Sequence, residues 1–425
     1  MILLHLSDIH FKKPLCLQPQ MDPDRPVRIA LKDDVTAVLK KLDTKVDAIL
    51  VSGDIAYQAD PEEYQVAAEW LDELAENVGC KPLNVFTVPG NHDVDRRAIH
   101  QNHTLQALRS HLSSVDCLSR STLIFELLDD KEAGPTLMLP LEAYNQFAAR
   151  YECATYPPKP FWRYDLEQKL GPSHTLRLHG LNSVMMSGPD DDVKGTLFVG
   201  NIQTAIEPDE RVVDVIIMHH PPDWLEDCDD VEDAINNGAR IQLVGHKHRQ
   251  RIRMDQNAVR LMAAAVNPSR IESNWEPGYN LISVEVEDDN TDVWLHVNSH
   301  VRVWQSSPDR FVPKLGDEDA SIWYKRYRLG ASKPEEEVSM ESNGEVSVAP
   351  EAPVETANSG SRELVFRFWN LRPSQRRKIA NDLTLLTLED LSLPEFERYR
   401  RAFVRARESD QIQRLAEAIT AAEGT

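Results

Sequence analysis

The sequence predicts an α/β fold, a sheet covered on both faces by helices, followed by an acidic stretch and a small all-helical domain. Three observations carry that reading. Short apolar runs alternate with helical periodicity along the first part of the chain. Clusters of Asp, Asn and His stand just past the ends of the apolar runs, where open α/β sheets build their sites. A segment at 334–360 holds seven acidic residues and no basic one, and it divides the chain.

Met1–Leu6 is an apolar run ending at Ser7-Asp8. Val27–Leu42 carries Leu31, Val35, Val38, Leu39 and Leu42 at helical spacing, with Pro26 suited to a first turn. Ala48–Val51 reads as a second strand ending at Gly53-Asp54, Tyr64–Leu74 as a helix, and Leu83–Val88 as a third strand ending at Gly90-Asn91-His92-Asp93. Residues 94–174 break the rhythm, are mostly helical in pattern, and are expected to form an insertion capping the site. Strands resume at Thr175–Leu181, Val212–Met218 and Ile241–Val244, with further runs at Leu281–Val286 and Val293–Val297. No internal repeat and no Walker-type phosphate loop is present.

The chain has 425 residues, a net charge of −22 and 41% hydrophobic residues, enough for a core but with no run of about 18 apolar residues to span a membrane. The five cysteines (Cys16, Cys80, Cys117, Cys153, Cys228) are odd in number and never paired as CxxC. That excludes a disulfide scaffold or zinc finger and, with no secretory pattern at Met1–Leu6, leads to the expectation of a cytoplasmic protein. The acidic balance argues against nonspecific DNA binding through a broad basic face.

Five polar clusters follow the strands in order: Asp8-Ile9-His10, Gly53-Asp54, Gly90-Asn91-His92-Asp93, His219-His220-Pro221 and Gly245-His246-Lys247-His248. Carboxylate and amide oxygens mixed with imidazoles suit borderline divalent ions such as Mn²⁺, Fe²⁺ or Zn²⁺. Asp8 and His10, like His246 and His248, alternate by two, so an extended backbone would point each pair the same way. Two ions sharing one carboxylate would hold a hydroxide able to attack phosphorus in line, with an imidazole protonating the departing alkoxide.

The ordered blocks DxH, GD, GNHD, H and GHxH resemble those of the calcineurin-like metallophosphoesterases, over roughly residues 1–300. The resemblance implies a two-sheet sandwich flanked by helices within residues 1–333, with 94–174 as a helical cap insertion. Position by position, it implies Asp8, His10 and His248 on one divalent ion, Asn91, His219 and His246 on the other, and Asp54 bridging them. His92 is implied as the general acid and Asp93 as the residue orienting a neighbour. The family's His-x-Pro pattern selects His219 and leaves His220 facing substrate. Mn²⁺ is the foremost metal, with Fe²⁺, Zn²⁺ or Ni²⁺ as alternatives. After Gly53-Asp54 the second Asp and the Arg of the protein-phosphatase signature are missing, which argues against protein dephosphorylation. The run from Gly53 to Tyr64 is closer to the cyclic nucleotide phosphodiesterase branch than to the double-strand-break repair nucleases. The implied reaction is hydrolysis of a phosphodiester of a nucleotide or nucleic acid. A phosphomonoesterase and a non-catalytic adaptor are the alternatives.

His5 and His179 lie inside apolar strands and are expected to be core residues, while His100, His103, His111 and His174 are expected to be exposed or structural. Trp162 and Tyr164 fit core packing as well as base stacking, and Arg249, Arg251 and Arg253 fit the wet face of a strand.

The acidic stretch, bounded as 334–362, reads as a self-repelling linker. Beyond it, 363–425 has helical patterns at Ser374–Leu386, around Phe396–Val404 and at Ile412–Ile419, with Arg398, Arg400, Arg401 and Arg405 about the second. With its helical pattern and an Arg-Lys-Ile-Ala-x-x-Leu run, the segment from Leu371 to Ile419 resembles the effector-associated, death-like adaptor modules of bacterial defence enzymes, which implies a protein partner. Those arginines suit either a solvated face or an acidic partner surface.

Overall fold

The structure, a computed structural model, describes residues 1–171, 173–188, 193–270, 275–316, 319–331 and 359–424. Its strands are β1 (Ile2–Leu6), β2 (Ala48–Val51), β3 (Val85–Thr87), β4 (Trp162–Asp165), β5 (Thr175–Gly180), β6 (Val212–Met218), β7 (Ile241–Val244), β8 (Arg251–Met254), β9 (Val259–Met262), β10 (Gly278–Asp288), β11 (Asp292–Ser306), β12 (Asp309–Pro313) and β13 (Trp323–Ala331). One sheet has the order β12-β11-β10-β1-β2-β3, with β13 also on β11; the other runs β4-β5-β6-β7-β9-β8. β1 is central, parallel to β2 (Leu4 opposite Ile49) and antiparallel to β10 (Leu4 opposite Leu281).

The expected two-sheet sandwich is present. Leu4, Ile49 and Leu281 of the first sheet share one apolar core with Val215, Ile217, Leu243 and Leu261 of the second. The alternate residues Ile216, Met218 and Val244 face the other way, against Val231 and Ile235 of a covering helix. Runs that are apolar on every residue are therefore buried on both faces.

Helices α1 (Arg25–Leu42) and α2 (Pro61–Asn77) connect the first three strands. Asp60 caps α2 by accepting the Glu62 N–H at 3.0 Å, and Glu63 closes the box by accepting the Asp60 N–H at 3.4 Å. The insertion holds α3 (Arg96–Gln101), α4 (His103–Ser114), α5 (Cys117–Asp129), α6 (Ala133–Met138) and α7 (Glu142–Ala148). Its expected extent needs correction, because β4 is an edge strand of the second sheet rather than part of a helical cap. Trp162 and Tyr164 alternate inward onto Phe86, and the Trp162 Nε1–H donates to the Thr87 carbonyl at 2.9 Å. Short α8 (Asn201–Thr204) and α9 (Cys228–Gly238) complete this part, α9 being the helix over the second sheet.

Most of the acidic stretch, 334–358, lies outside the described residues. Its last four residues are not linker: α10 (Ser359–Asn370) begins there. α10 packs with α11 (Pro373–Asp382), α12 (Glu395–Glu408) and α13 (Ile412–Glu423) around Phe368, Ile379, Tyr399, Phe403, Leu415 and Ile419. Arg362 explains the earlier start. It is 1% exposed, donates to the Val85 and Tyr151 carbonyls, and stacks over Phe86 at 4.0 Å and Tyr164 at 4.5 Å. Tyr156 meets Phe396 edge-on at 5.0 Å and the Tyr151 ring lies 6.3 Å from that of Phe366, so the helical module is docked through two aromatic contacts and a buried guanidinium. Its arginines are engaged internally. Arg405 and Asp390 pair, Arg400 and Arg401 pair with Glu397, and Arg398 bonds loop carbonyls. Arg400 and Arg401, though paired, keep side chains 53% and 43% exposed, in line with the solvated-face reading.

Candidate metal centre

The loops after β1, β2, β3, β6 and β7 converge at one edge of the sandwich, and the seven expected ligands meet there. Asp8 Oδ1 lies 3.1 Å from His248 Nε2 and 3.9 Å from His10 Nε2. Asn91 Oδ1 lies 3.1 Å from both His219 Nε2 and His246 Nδ1. Asp54 Oδ2 stands between the two sets, 3.8 Å from His10 Nε2 and 3.3 Å from His219 Nε2. The other oxygen of Asp54 accepts the His92 N–H at 2.8 Å.

The backbone reaches this arrangement differently from the extended geometry expected for DxH and GHxH. Asp8 (φ 54°), His10 (φ 50°), Asp54 (φ 54°), His246 (φ 69°) and His248 (φ 52°) are all left-handed. Such conformations are costly for residues with a Cβ, and they persist where surrounding structure enforces them. Here Asp8 N–H donates to Gly53 O and His10 N–H to Asp54 O, each at 3.0 Å, while Asn267 N–H donates to Asp8 O at 3.1 Å. Gly53, at φ 92°, is one turn glycine. Gly90 has an ordinary φ and serves close approach instead, since a Cβ there would collide with Asp54.

Burial pushes the His10 and His246 imidazoles down, to about 4 and about 3, leaving their lone pairs free at neutral pH. Burial also opposes charging of His219, but Asp54 beside it outweighs that and raises it to about 9. Burial alone would raise the Asp54 carboxyl, yet His219, with His92 and His10, holds it well below its usual range. Carboxylates, an amide oxygen and imidazole nitrogens crowded this closely form a donor set that fits divalent cations.

Asp93 is fully buried and does not face the cage. Its carboxylate accepts the N–H groups of Gly90 (2.9 Å), Ala56 (3.0 Å) and Ile55 (3.2 Å), and the Tyr64 hydroxyl at 2.8 Å. His92 lies beside the cage, 4.7 Å from the His10 ring, and its Nδ1–H donates to the Tyr57 carbonyl at 2.7 Å. His220 is fully buried, with Nδ1 3.0 Å from Ser183 Oγ, no hydrogen-bond partner for Nε2 among the described residues, and its ring 4.4 Å from that of His246.

The sequence reading passed over Glu63, whose buried carboxylate accepts the N–H groups of Lys13 (2.9 Å), Gln58 (3.0 Å) and Tyr57 (3.1 Å) and so shapes the loop carrying Asp54. The Asp60-x-x-Glu63 spacing was the available signal. It also passed over Trp224, whose ring packs 4.1 Å from that of His246. His5 and His179 are core residues as expected, bonded to Ser52 at 2.9 Å and Asp214 at 2.6 Å.

A GTPase-associated adaptor domain model matches residues 360–421. An uncharacterized metallophosphoesterase-like protein, YydB of Bacillus subtilis (strain 168), is 23% identical over 326 residues, 72% of this chain and 61% of that relative. Glycerophosphodiester phosphodiesterase GpdQ of Enterobacter lignolyticus is 37% identical over 94 residues, 22% of this chain and 30% of its own length. The chain thus matches less than two-thirds of either curated relative. Among solved structures, GAP50, the anchor in the inner membrane complex of Plasmodium, matches with TM-score 0.36 and 9% identity over 79% of this chain and 90% of that one. The calcineurin-like phosphoesterase model matches residues 1–250, more than half of the chain, and the protein belongs to that family.

Proposed function

We propose that the protein is a two-metal phosphodiesterase acting on a nucleotide or nucleic acid. The observation that carries the reading is the position of Asp54 Oδ2, between the Asp8–His10–His248 set and the Asn91–His219–His246 set. In this reading Asp8, His10 and His248 hold one ion, Asn91, His219 and His246 the other, and Asp54 both. Bound divalent ions, Mn²⁺ foremost, supply the Lewis acidity that acidifies a water and neutralises phosphoryl charge. The chain supplies the rest. Asp8 and Asp54 remain anionic, and the neutral His10 and His246 offer lone pairs. With the Nδ1 proton of His92 committed to the Tyr57 carbonyl, Nε2 is the nitrogen that delivers a proton to the departing oxygen. Asp93 positions the loops of Asp54 and Asn91 rather than touching substrate. His220 packs against His246 and Trp224, beside the second ligand set, as the substrate-side neighbour of His219.

The parts are a catalytic unit at 1–333, its insertion, and a recruitment module that begins with α10. The adaptor-domain match supports a protein partner for that module, which in this reading localises the hydrolase of a defence effector. Five unpaired cysteines support a reducing cytoplasmic setting, and among the described residues no helix is long and apolar enough to cross a membrane.

Turnover of bis-p-nitrophenyl phosphate against p-nitrophenyl phosphate with added Mn²⁺, followed by single- and double-stranded DNA, RNA and cyclic nucleotides, tests the proposal. Preference for the diester supports it. Preference for the monoester favours a phosphatase, and no turnover of either, with partner binding intact, favours an adaptor.

A further inference from the structure

Beside the His92 edge of the cage stand a tyrosine and a lysine that the ligand set does not use. Tyr57 is 37% exposed, its ring 5.0 Å from that of His92 at 30° and 5.9 Å from that of His10 at 73°. The Lys12 ammonium lies over the Tyr57 ring, 4.2 Å from its centroid. Lys12 is exposed and, among the described residues, forms no ion pair, whereas its neighbour Lys13 is tied to Asp60 at 3.1 Å and to Glu62. Lys247, in the His246–His248 loop, is likewise committed, to Asp223 at 2.7 Å. Adjacent lysines thus have opposite fates, one neutralised by carboxylates and one resting on a π face at the rim of the site.

Backbone contacts hold the pair in place. Phe11 and Ala56 form a parallel bridge, and the Tyr57 N–H donates to Phe11 O at 3.1 Å, so the chain before Lys12 and the chain before Tyr57 run side by side. A cation–π contact is weak enough at an exposed site to yield when an anion arrives. In the proposed reaction His92 faces the departing oxygen, so a group beside His92 would meet the leaving alcohol rather than the retained phosphoryl group.

We propose that Lys12 and Tyr57 form a leaving-group subsite that takes an alcohol bearing a second phosphate, as the next nucleotide of a chain does. This deepens the phosphodiesterase reading and rests on it. Tyr57 offers the apolar contact and Lys12 the countercharge, in a protein whose net charge of −22 otherwise repels polyanions.

The test compares dTpdT with its two terminally phosphorylated forms, pdTpdT and dTpdTp, on the Mn²⁺-loaded full chain. One phosphorylated form should exceed dTpdT in kcat/KM by about tenfold. Lys12→Met should reduce that ratio to about twofold or less, Lys12→Arg should keep it, and Lys12→Glu should reverse it. In parallel, calorimetry should find thymidine 3′,5′-bisphosphate bound more tightly than thymidine 5′-monophosphate, with the difference lost in Lys12→Met. An equal ratio in the parent and Lys12→Met, with bis-p-nitrophenyl phosphate still cleaved, overturns the subsite alone. If no ester is cleaved, the phosphodiesterase reading fails, and equal affinities for the two nucleotides in the calorimeter then overturn the subsite as well.

Discussion

The Tyr64 hydroxyl donates to Asp93 Oδ1 at 2.8 Å, joining the first turn of α2 to the loop that carries Asn91 and His92. The same carboxylate holds Gly90 and the Ile55–Ala56 backbone, so one buried group fastens two ligand-bearing loops to a helix. Burial pushes the Asp93 carboxyl up to about 6, with the Asp54 charge adding to the rise and the Gly90, Ala56 and Tyr64 donors opposing it. Asp93→Asn turns an amide NH₂ toward these donors and should destabilise the protein by about 2–4 kcal/mol, whereas Tyr64→Phe should cost about 1 kcal/mol. Urea unfolding reads both, and an unchanged midpoint for Asp93→Asn would refute the clamp.

Asp54→Ala removes the oxygen placed between the two sets of donors. Elemental analysis after Mn²⁺ loading and desalting should find both ions depleted together. Two metals per chain in that protein would contradict the bridging role.

His92→Asn should retain its metal content. Turnover should fall about 10²–10⁴-fold on esters with alkyl leaving groups and far less on p-nitrophenyl esters, whose leaving group needs little protonation. Equal losses on both classes would remove His92 as the acid.

Acid should weaken the helical module through Asp390. Burial alone would raise its carboxyl, but Arg405 and the Thr387 N–H and hydroxyl bring it down to about 2. An unfolded aspartate titrates near 3.9, so this stabilisation is complete above about pH 4 and fades as pH falls toward 2. It amounts to about 2 kcal/mol, and Asp390→Asn should flatten the Tm-versus-pH curve in that window. A curve for Asp390→Asn parallel to that of the parent would show that another group governs it.

Arg362→Met removes the guanidinium lodged between Phe86 and Tyr164. The module keeps its own core, so it should stay folded yet undock, with a larger radius of gyration in solution scattering and faster proteolysis near residue 359. Scattering identical to the parent would assign the docking to Tyr156–Phe396 and the remaining contacts.

The parts that sequence revealed best are those where one local pattern decides the outcome. β2, β6 and β7 have the expected bounds because every residue of each is apolar or buried, and the five ligand blocks sit at strand ends as expected. Left-handed conformations at Asp8 or His246 have no such signature, since they are imposed by hydrogen bonds to residues far along the chain. β4 escaped notice because Trp162 and Tyr164 gain their meaning only against Phe86. The early start of α10 depends on where Arg362 is buried, a long-range contact that composition around an acidic segment conceals. Glu63 resembled an ordinary helix-capping carboxylate until its additional amide partners came into view.

β1 lies between β2 and β10, so one flank of the strand leading to Asp8 and His10 is closed by residues more than 270 positions downstream. A ribosome-bound chain that has not yet emitted Asp288 presents β1 as an open edge, and it lacks the Asn267 amide that braces Asp8 until that residue too has emerged. Closure of that flank and bracing of Asp8 therefore wait until 288 of the 425 residues have been made, because both depend on contacts of long sequence separation.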